Sequence, residues 1–518
     1  MFQKLSVRKS FLKISALKDK QIKKKRLRVL VRGRFIDFAL VLFKFGIIQY
    51  KLRKDDFMKK LCVVLVLLSV LLTVSACGTV TDEPVTDTTA TQPQTTEAQE
   101  VDDGITEISL SDSGISVEGK PASEDASSDV YVANDIVYYE EGKDFTYGEG
   151  TDEDAHSAAD AEAHTVVHIT KAGEYRISGK LSKGQIAVDL GEDAKENPEA
   201  VVTLVLNGAD ITCEVAPAVI FYNVYECASD DADTASKDVD TSLSGANVII
   251  ADDTENIVNG SYVARIYKPD SVVLSDDGTE VEDASKLHKY DGAFYSKMSM
   301  NINGEEKGTG VLTINAANEG LDSELHLTIN GGNININSGN DGINTNEDGV
   351  SVTTVNGGTL NIKVTGETGE GDGIDSNGWL VINGGRVIAQ ACSFSADAGI
   401  DSDMGIHING GTVFASGSML DRIEDGSQEY VLFNIWDNIL DENELSIRND
   451  DGEIIDEITI NNDCSVIIYS SPDLDSDSTY SLYNGDYEFA SGSDSTAGGP
   501  GMGGMMPPDG NRPPDMEF

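Results

Sequence analysis

A short triplet, Asn-Gly-Gly, recurs at a nearly fixed step in the middle of this chain, and the step limits the possible folds. The triplet occupies residues 330–332, 356–358, 383–385 and 409–411, so its steps are 26, 27 and 26 residues. A second marker precedes each triplet, as EGLDS (319–323), DGINT (341–345), DGIDS (372–376) and AGIDS (398–402). Repeats of this length are typical of folds in which each repeat stacks on the next one.

Apolar and polar residues alternate between the markers. The apolar positions that align across repeats follow the triplet at Ile334, Leu360, Val387 and Val413, and precede it at Ile329, Val355, Ile382 and Ile408. Alternation with a period of two and one apolar face predicts β-strands. The Asn-Gly-Gly triplets supply the positive φ angles of tight corners.

The repeat therefore predicts an all-β fold, a right-handed parallel β-helix over residues 106–425. A leucine-rich repeat fits less well because the Leu-x-x-Leu-x-Leu skeleton is missing, and an antiparallel β-sandwich does not explain the fixed step. Strands are also expected at 173–181, 185–190, 201–212 and 247–252, whereas the acidic segments 148–164 and 229–240 are expected as solvated loops. Residues 426–490 are predicted to form a β cap, because an open last coil would be an unpaired edge. The Gly/Pro/Met-rich tail 491–518 is expected to be disordered.

The start of the chain predicts export and lipid anchoring. Residues 58–76 have a charged start, an apolar run and small residues before Cys77, the order of a secretory signal. The letters Val-Ser-Ala-Cys at 74–77 resemble a bacterial lipobox, which implies lipidation of Cys77 and an extracellular, membrane-anchored protein; an ordinary signal peptide with a chance cysteine is the alternative. Residues 77–105 form a polar linker. Residues 1–57 are interpreted as an upstream start extension, or else as a basic cytosolic arm.

Charge separates the two parts of the chain and excludes one class of partner. Of the 38 basic residues 19 lie before residue 61, together with four of the 89 acidic residues. The remainder carries 19 basic and 85 acidic residues, a net charge of about −66, which repels phosphate and argues against nucleic acid. Four cysteines lie beyond the linker that ends at residue 105, Cys213, Cys227, Cys392 and Cys464, and their spacing fits buried free thiols better than a metal site. A single 213–227 bridge is the alternative.

Stacking would bring the acidic residues of the second marker together. Equivalent positions in adjacent strands lie about 4.8 Å apart, so the marker residues Asp322, Asn344, Asp375 and Asp401 would form a row. Asp372 and Asp403 lie beside this row in sequence. Carboxylates this close repel one another, and Ca²⁺, which takes six to eight oxygen ligands, would neutralise them. We therefore predict calcium bound by Asp322, Asp372, Asp375, Asp401 and Asp403, with side-chain ladders that satisfy only the backbone as the alternative.

The chain resembles the carbohydrate-binding domain-containing parallel β-helix proteins of clostridial cell surfaces, which are similar in fold to β-helical pectate lyases. The resemblance covers about residues 165–510 and rests on the repeated DGI(D/N)(S/T)…INGG, on GEYRISGKLSKGQIAVDL…VTLVLNGADIT, and on VIIYSSP…YSLY with the Gly/Met/Pro tail. It implies calcium at the coil corners, held by Asp322, Asp372, Asp375 and Asp401. It also implies binding of cellulose-like and acidic, pectin-type plant polysaccharides.

Three functions follow as hypotheses. A polysaccharide binder is favoured, with Trp379 as a candidate stacking surface for sugar rings because it falls in the outward phase of its strand. A calcium-dependent polysaccharide lyase would need a basic residue near the metal, and Lys363 is the candidate base. A structural surface adhesin is the third possibility.

Overall fold

The computed structural model describes residues 26–31, 34–39, 104–439 and 443–493, and the chain divides into two units, Met1–Gln99 and Glu100–Phe518. In the first unit, strands β1 (Arg26–Val31) and β2 (Arg34–Ala39) form an antiparallel pair. The predicted signal peptide, Cys77 and the C-terminal tail beyond residue 493 lie outside the described residues. Within the described part, no helix has the length and apolar character needed to cross a membrane.

The second unit is built almost entirely of strands. Its first half contains β3 (Ile105–Leu110), β4 (Ser116–Val117), β5 (Lys120–Pro121), β6 (Val130–Ala133), β7 (Thr165–Ile169), β8 (Gly173–Leu181), β9 (Gly184–Asp189), β10 (Val202–Cys213), β11 (Val219–Asn223), β12 (Ala246–Ile250), β13 (Glu255–Gly260), β14 (Val263–Tyr267), β15 (Val273–Leu274), β16 (Val281–Asp283), β17 (Lys286–Tyr290) and β18 (Gly292–Ser296). One α-helix, α1 (Ala158–Glu162), and two short 3₁₀ helices, Glu192–Glu196 and Pro269–Ser271, interrupt this half.

The second half contains strands only. They are β19 (Met300–Gly304), β20 (Val311–Ala316), β21 (Glu319–Ser323), β22 (His326–Ile329), β23 (Asn333–Ser338), β24 (Ile343–Thr345), β25 (Val352–Val355), β26 (Thr359–Val364), β27 (Trp379–Ile382), β28 (Arg386–Gln390), β29 (Gly405–Ile408), β30 (Thr412–Gly417), β31 (Tyr430–Ile439), β32 (Asn443–Arg448), β33 (Ile454–Ile460), β34 (Cys464–Ser470), β35 (Thr479–Asn484) and β36 (Tyr487–Ser493).

Most of these strands pair in parallel and form three ladders. The first ladder joins β8, β10, β12, β19, β22, β25, β27 and β29. The second ladder joins the later half of β10 to β13, β20, β23, β26, β28 and β30. The third ladder joins β7, β9, β11, β18, β21 and β24, and single bridges extend it to Ile374 and Ile400. From β18 to β26 the chain passes through the third, first and second ladders in turn.

The core lies between these ladders, and the sequence pattern selects its residues. In the second ladder, Ile334, Leu360, Val387 and Val413 pair in register, and each side chain is at most 1% exposed. Alternate residues of each strand point to opposite faces, so the intervening polar residues face outward. The predicted all-β fold and the predicted apolar alignment are therefore confirmed.

The Asn-Gly-Gly triplets form corners between the first and second ladders. The last glycine of each triplet has a φ between +84° and +93°, namely Gly332, Gly358, Gly385 and Gly411. The triplet asparagines form a row of side-chain hydrogen bonds, in which each amide donates to the asparagine oxygen of the preceding triplet at 2.8 Å, and the first of them, Asn330, donates to Asn303 Oδ1 at 3.0 Å. The corner thus satisfies its polar side chains within the row.

Antiparallel strands follow the last parallel ones. Strand β34 pairs with β30, the final strand of the second ladder, and β31 pairs with β34 on its other side. Strands β33, β32, β35 and β36 form a four-stranded antiparallel sheet, here called the C-terminal sheet. Residues of both groups, including Phe414, Phe433 and Leu482, form a second apolar cluster.

Two details differ from, or refine, the sequence expectations. The acidic segment 148–164 is not a simple loop, because it carries α1, whose first turn is capped by the Ser157 side chain accepting from Asp160 N. Serine is a favoured helix cap, but a five-residue helix leaves no apolar period to detect. All four cysteines of this part are free; Cys227 is half-buried and the others are buried, as predicted.

Candidate functional site

The third ladder brings the acidic markers of successive repeats side by side. Asp322 pairs with Asn344 across β21 and β24. The row continues because Asp375 N donates to Ile343 O at 2.8 Å and Asp401 N donates to Ile374 O at 2.7 Å. The row predicted from the repeat is therefore present, although its members do not all share one site.

Three predicted metal ligands form one cluster at the end of this row, here called the corner cluster. Carboxylate oxygens of Asp372, Asp375 and Asp401 all lie within 4.8 Å of one another, and the three residues are half-buried. Burial and neighbouring carboxylates raise the pKa of Asp372 to about 9, that of Asp375 to about 6 and that of Asp401 to about 7. Three like charges at this distance favour protonation or a bound cation.

The predicted ligand Asp403 lies next to the corner cluster but outside it. Its side chain is exposed, and its oxygens are not among those within 4.8 Å of one another. It still acts on the cluster, since its charge contributes to the raised pKa of Asp375 and that of Asp401. Asp421 contributes in the same way, and burial raises its own pKa.

A second acidic cluster, here called the buried cluster, includes the remaining predicted ligand, Asp322. Oxygens of Asp291, Glu319 and Asp322 lie within 4.8 Å of one another, and these residues are 8%, 6% and 0% exposed. Burial, followed by the neighbouring carboxylates, raises the pKa of both Glu319 and Asp322 well above the usual range. Lys289 Nζ lies 2.7 Å from Asp291 Oδ2, so one cation faces three acidic groups.

Three buried oxygen atoms without hydrogen-bond partners indicate that a cation fits the buried cluster. Glu319 Oε2, Asp322 Oδ2 and Asn344 Oδ1 are buried without a hydrogen-bond partner. Asn344 belongs to the same place, because its amide donates to Glu319 Oε1 at 3.1 Å. Buried acceptors without partners cost free energy. Carboxylate and amide oxygens are the ligands of Ca²⁺, and neither cluster contains histidine or cysteine, so the residues fit a hard cation.

Asp291 escaped the sequence analysis, although a signal was present. Asp291 and Gly292 repeat the Asp-Gly of the second marker, but the following residues AFYS do not match it. Strand pairing places these two residues beside the first acidic marker, since Gly292 pairs with Glu319 in the third ladder. Glu319 begins the marker EGLDS, and the sequence pattern does not indicate that its side chain is buried.

Part of the acidic row serves the backbone, as the alternative interpretation expected. Asp341 Oδ1 accepts from Asp372 N at 2.7 Å, and Asp372 Oδ1 accepts from Ala398 N at 2.5 Å. Each of these carboxylates therefore stabilises the backbone of the next repeat with one oxygen. The second oxygen of Asp372 remains available to the corner cluster.

Trp379 begins β27 and is half-buried, with Val352 and Gly405 as its partners in the adjacent strands. Neither partner is aromatic, and no ring contact of Trp379 occurs among the described residues. Its role as a stacking surface stays a prediction.

Two grooves, each lined by both polar and apolar side chains, lie on the outward faces of the ladders, and Trp379 lines neither of them. The first groove, of about 370 Å³, lies between the second ladder and β33, and its lining includes Asn335, Asn361 and the predicted base Lys363. No member of either acidic cluster lines this groove. Lys363 is thus on a different ladder from the candidate metal ligands.

The second groove, of about 420 Å³, lies between the first ladder and residues 237–242. The triplet asparagines Asn330, Asn356, Asn383 and Asn409 all line it. Thr241 closes one part of it, since its hydroxyl donates to Asn301 Oδ1 at 2.7 Å and contacts Thr328 Oγ1 at 2.7 Å. Both grooves therefore present rows of amide groups.

Comparison with known proteins gives the family of the chain. No curated protein matches the chain. A solved structure described as the polysaccharide lyase-like protein from C. thermocellum, a gadolinium derivative, is 18% identical and covers 59% of this chain and 92% of its own, with a TM-score of 0.30. The model of the family described as "Carbohydrate-binding domain-containing protein" matches residues 163–242 and 231–495. Because this match spans more than half of the 518 residues, the chain belongs to the carbohydrate-binding domain-containing protein family.

Proposed function

We propose that this protein is a lipid-anchored surface protein that binds cellulose-like or acidic, pectin-type polysaccharide through a calcium-stabilised, right-handed parallel β-helix. The observation that carries the proposal is the pair of open grooves lined by rows of asparagine side chains. The family match supports polysaccharide binding in general. Cys77 would carry the lipid, and the polar residues 77–105 would hold the binding unit away from the membrane.

Amide rows suit a sugar polymer for a chemical reason. Each asparagine side chain offers two donors and one acceptor with two lone pairs, and a row repeats this pattern at each strand. Sugar hydroxyl groups also donate and accept, so an extended polymer can form similar hydrogen bonds at successive strands. In the first groove the row is Asn335 and Asn361, joined by a 3.0 Å hydrogen bond.

Calcium would act on stability in this proposal. The corner cluster and the buried cluster each gather three acidic residues, and the buried one leaves three oxygens without partners. A bound divalent cation would supply the missing partner and remove the repulsion between carboxylates.

The calcium part is tested by melting the purified protein with added calcium and with a chelator. We expect calcium to raise the melting temperature, because a ligand bound only by the folded state stabilises it by about 4 kcal/mol at 1,000 times its Kd. The Asp375→Asn/Asp401→Asn variant should lose much of this increase, whereas the exposed Asp403→Asn variant should keep most of it. An unchanged melting temperature of the wild type would remove calcium from the proposal.

The ligand part is tested by retention of the protein on polygalacturonate and on cellulose, with absorbance of unsaturated products followed in parallel. We expect retention without product, since Lys363 lies in a groove that neither acidic cluster lines. Product formed by the wild type and lost in Lys363→Ala would instead establish the lyase. Failure to bind any glycan would favour the adhesin.

A further inference from the structure

The first groove has two walls from distant parts of the chain. Asn335, Asn361 and Lys363 form one wall on the outward face of the second ladder, and Glu457 and Thr459 of β33 form the other. The ladder wall presents donors and a positive charge, and the β33 wall presents a carboxylate and a hydroxyl. Such a groove can contact a polar polymer on both sides.

Several direct contacts fix the β33 wall against the ladder. Arg386 holds Asp456 through two hydrogen bonds, of 2.8 and 2.9 Å. The Gln390 amide donates to Thr459 O at 3.2 Å, and its oxygen accepts from Asn461 N at 2.8 Å. A groove whose walls are already fixed loses less conformational entropy when a ligand binds.

Lys363 is the basic residue in the lining of this groove, and Glu457 on the opposite wall is the acidic one. The register places it between Asn337 and Gln390 in the adjacent strands, so amide side chains flank it on both sides. Among the described residues no carboxylate forms an ion pair with Lys363, although the chain has a formal net charge of −51. Eight other lysines of the described region do have an acidic partner within 4.0 Å, namely Lys143, Lys171, Lys180, Lys183, Lys237, Lys286, Lys289 and Lys307.

We propose that the first groove holds a polysaccharide that contains uronate sugars, and that Lys363 pairs with a sugar carboxylate. The amides of Asn335 and Asn361 would bind hydroxyl groups of neighbouring sugars along the same face. An acidic polymer is repelled by most of this protein, so the ammonium group of Lys363 would select where a sugar carboxylate binds, and Glu457 on the opposite wall would accept hydrogen bonds from sugar hydroxyl groups. This inference rests on the proposed function, to which it adds the groove that holds the acidic polymer and the residue that recognises its carboxylate.

The test compares two polymers that differ in charge, polygalacturonate and its fully methyl-esterified form, at constant calcium and low salt. Binding of the full-length protein to each polymer is measured for the wild type and for Lys363→Gln. We expect the variant to bind polygalacturonate roughly tenfold more weakly, since a charge-assisted hydrogen bond is lost. Its binding to the esterified polymer should change little. Lys120→Gln, which removes the same charge from an exposed position outside the groove, should behave as the wild type.

Each outcome decides between the two proposals. Equal binding of polygalacturonate by the wild type and Lys363→Gln, with equal melting temperatures, would overturn the site while the proposed function stands. A wild type that prefers the esterified polymer would overturn the pairing of Lys363 with a sugar carboxylate, while polysaccharide binding, and with it the proposed function, would stand. A wild type that binds no glycan would overturn the proposed function and this inference with it.

Discussion

At the scale of single residues, burial controls the chemistry of the titratable groups. Asp322 is 0% exposed, and His326, four residues later, is 2% exposed. Asp322 lies in the third ladder and His326 in the first. Burial favours the neutral form of each group, so it raises the pKa of Asp322 and lowers the pKa of His326 to about 4. A bound cation would offset the cost of burying a charged Asp322 carboxylate, whereas the His326 imidazole stays neutral.

His326 should make stability fall at acidic pH. Its Nδ1 accepts from Val352 N at 3.0 Å, which requires an unprotonated nitrogen. Below pH 6.5 the unfolded chain binds a proton that the folded chain takes up only near pH 4. The contribution of neutral His326 to the free energy of unfolding is therefore fully present above pH 6.5. It is lost as pH falls towards 4, by about 3 kcal/mol in total.

Urea unfolding at pH 7 and pH 4.5, at one calcium concentration, measures this loss. The difference in unfolding free energy between wild type and His326→Gln should shift by about 2–3 kcal/mol in favour of the variant at the lower pH. His407→Gln, at a less buried histidine, should shift it less. A difference that is independent of pH would show that His326 titrates alike in both states.

At the scale of the element, the corner glycine depends on both its backbone angle and its space. Gly358 has a φ of +84°, and a Cβ built there would lie 2.5 Å from Gly332 O in the preceding triplet. The stacking of one corner on the next therefore leaves no room for a side chain. The position therefore requires glycine for two reasons, the positive φ of the corner and the close contact with the neighbouring repeat.

Gly358→Ala should destabilise the protein by about 3 kcal/mol or more, from the positive φ together with the backbone contact. Gly278→Ala is the matched control, because Gly278 has a φ of +72° with open space around it, and it should cost only about 1 kcal/mol. The shift of the urea midpoint measures both changes. Equal shifts would mean that the stacked corners move apart at little cost.

At the scale of the whole molecule, the pair of Arg386 and Asp456 is one of the polar contacts that hold the C-terminal sheet to the second ladder. Arg386 and Asp456 are 70 residues apart and form the bidentate pair, in which the Asp456 side chain is only 13% exposed. Loss of the arginine would leave a mostly buried carboxylate without its partner. The first groove depends on the same contact.

Arg386→Ala should therefore loosen β33 and destabilise the protein by about 2 kcal/mol. Hydrogen exchange should rise in residues 454–460 and stay unchanged in β19 and β20. Lys307→Ala removes an exposed pair with Asp253 and should leave the stability of the protein and the exchange of β33 nearly unchanged. Slow exchange of β33 in Arg386→Ala would mean that apolar packing alone holds the sheet.

The sequence by itself determined the strands, their apolar faces, the glycine corners and the acidic row. These features depend on alternation and turn chemistry over a few residues, and the step of 26 or 27 residues then sets which residues pair, as for Leu360 and Val387. Only the tertiary structure decided which acidic residues meet. It separated Asp322 from Asp375 and added Asp291 to the buried cluster. It also decided that Lys363 faces Glu457 across a groove. Such contacts depend on how segments far apart in the chain pack, which no local pattern encodes.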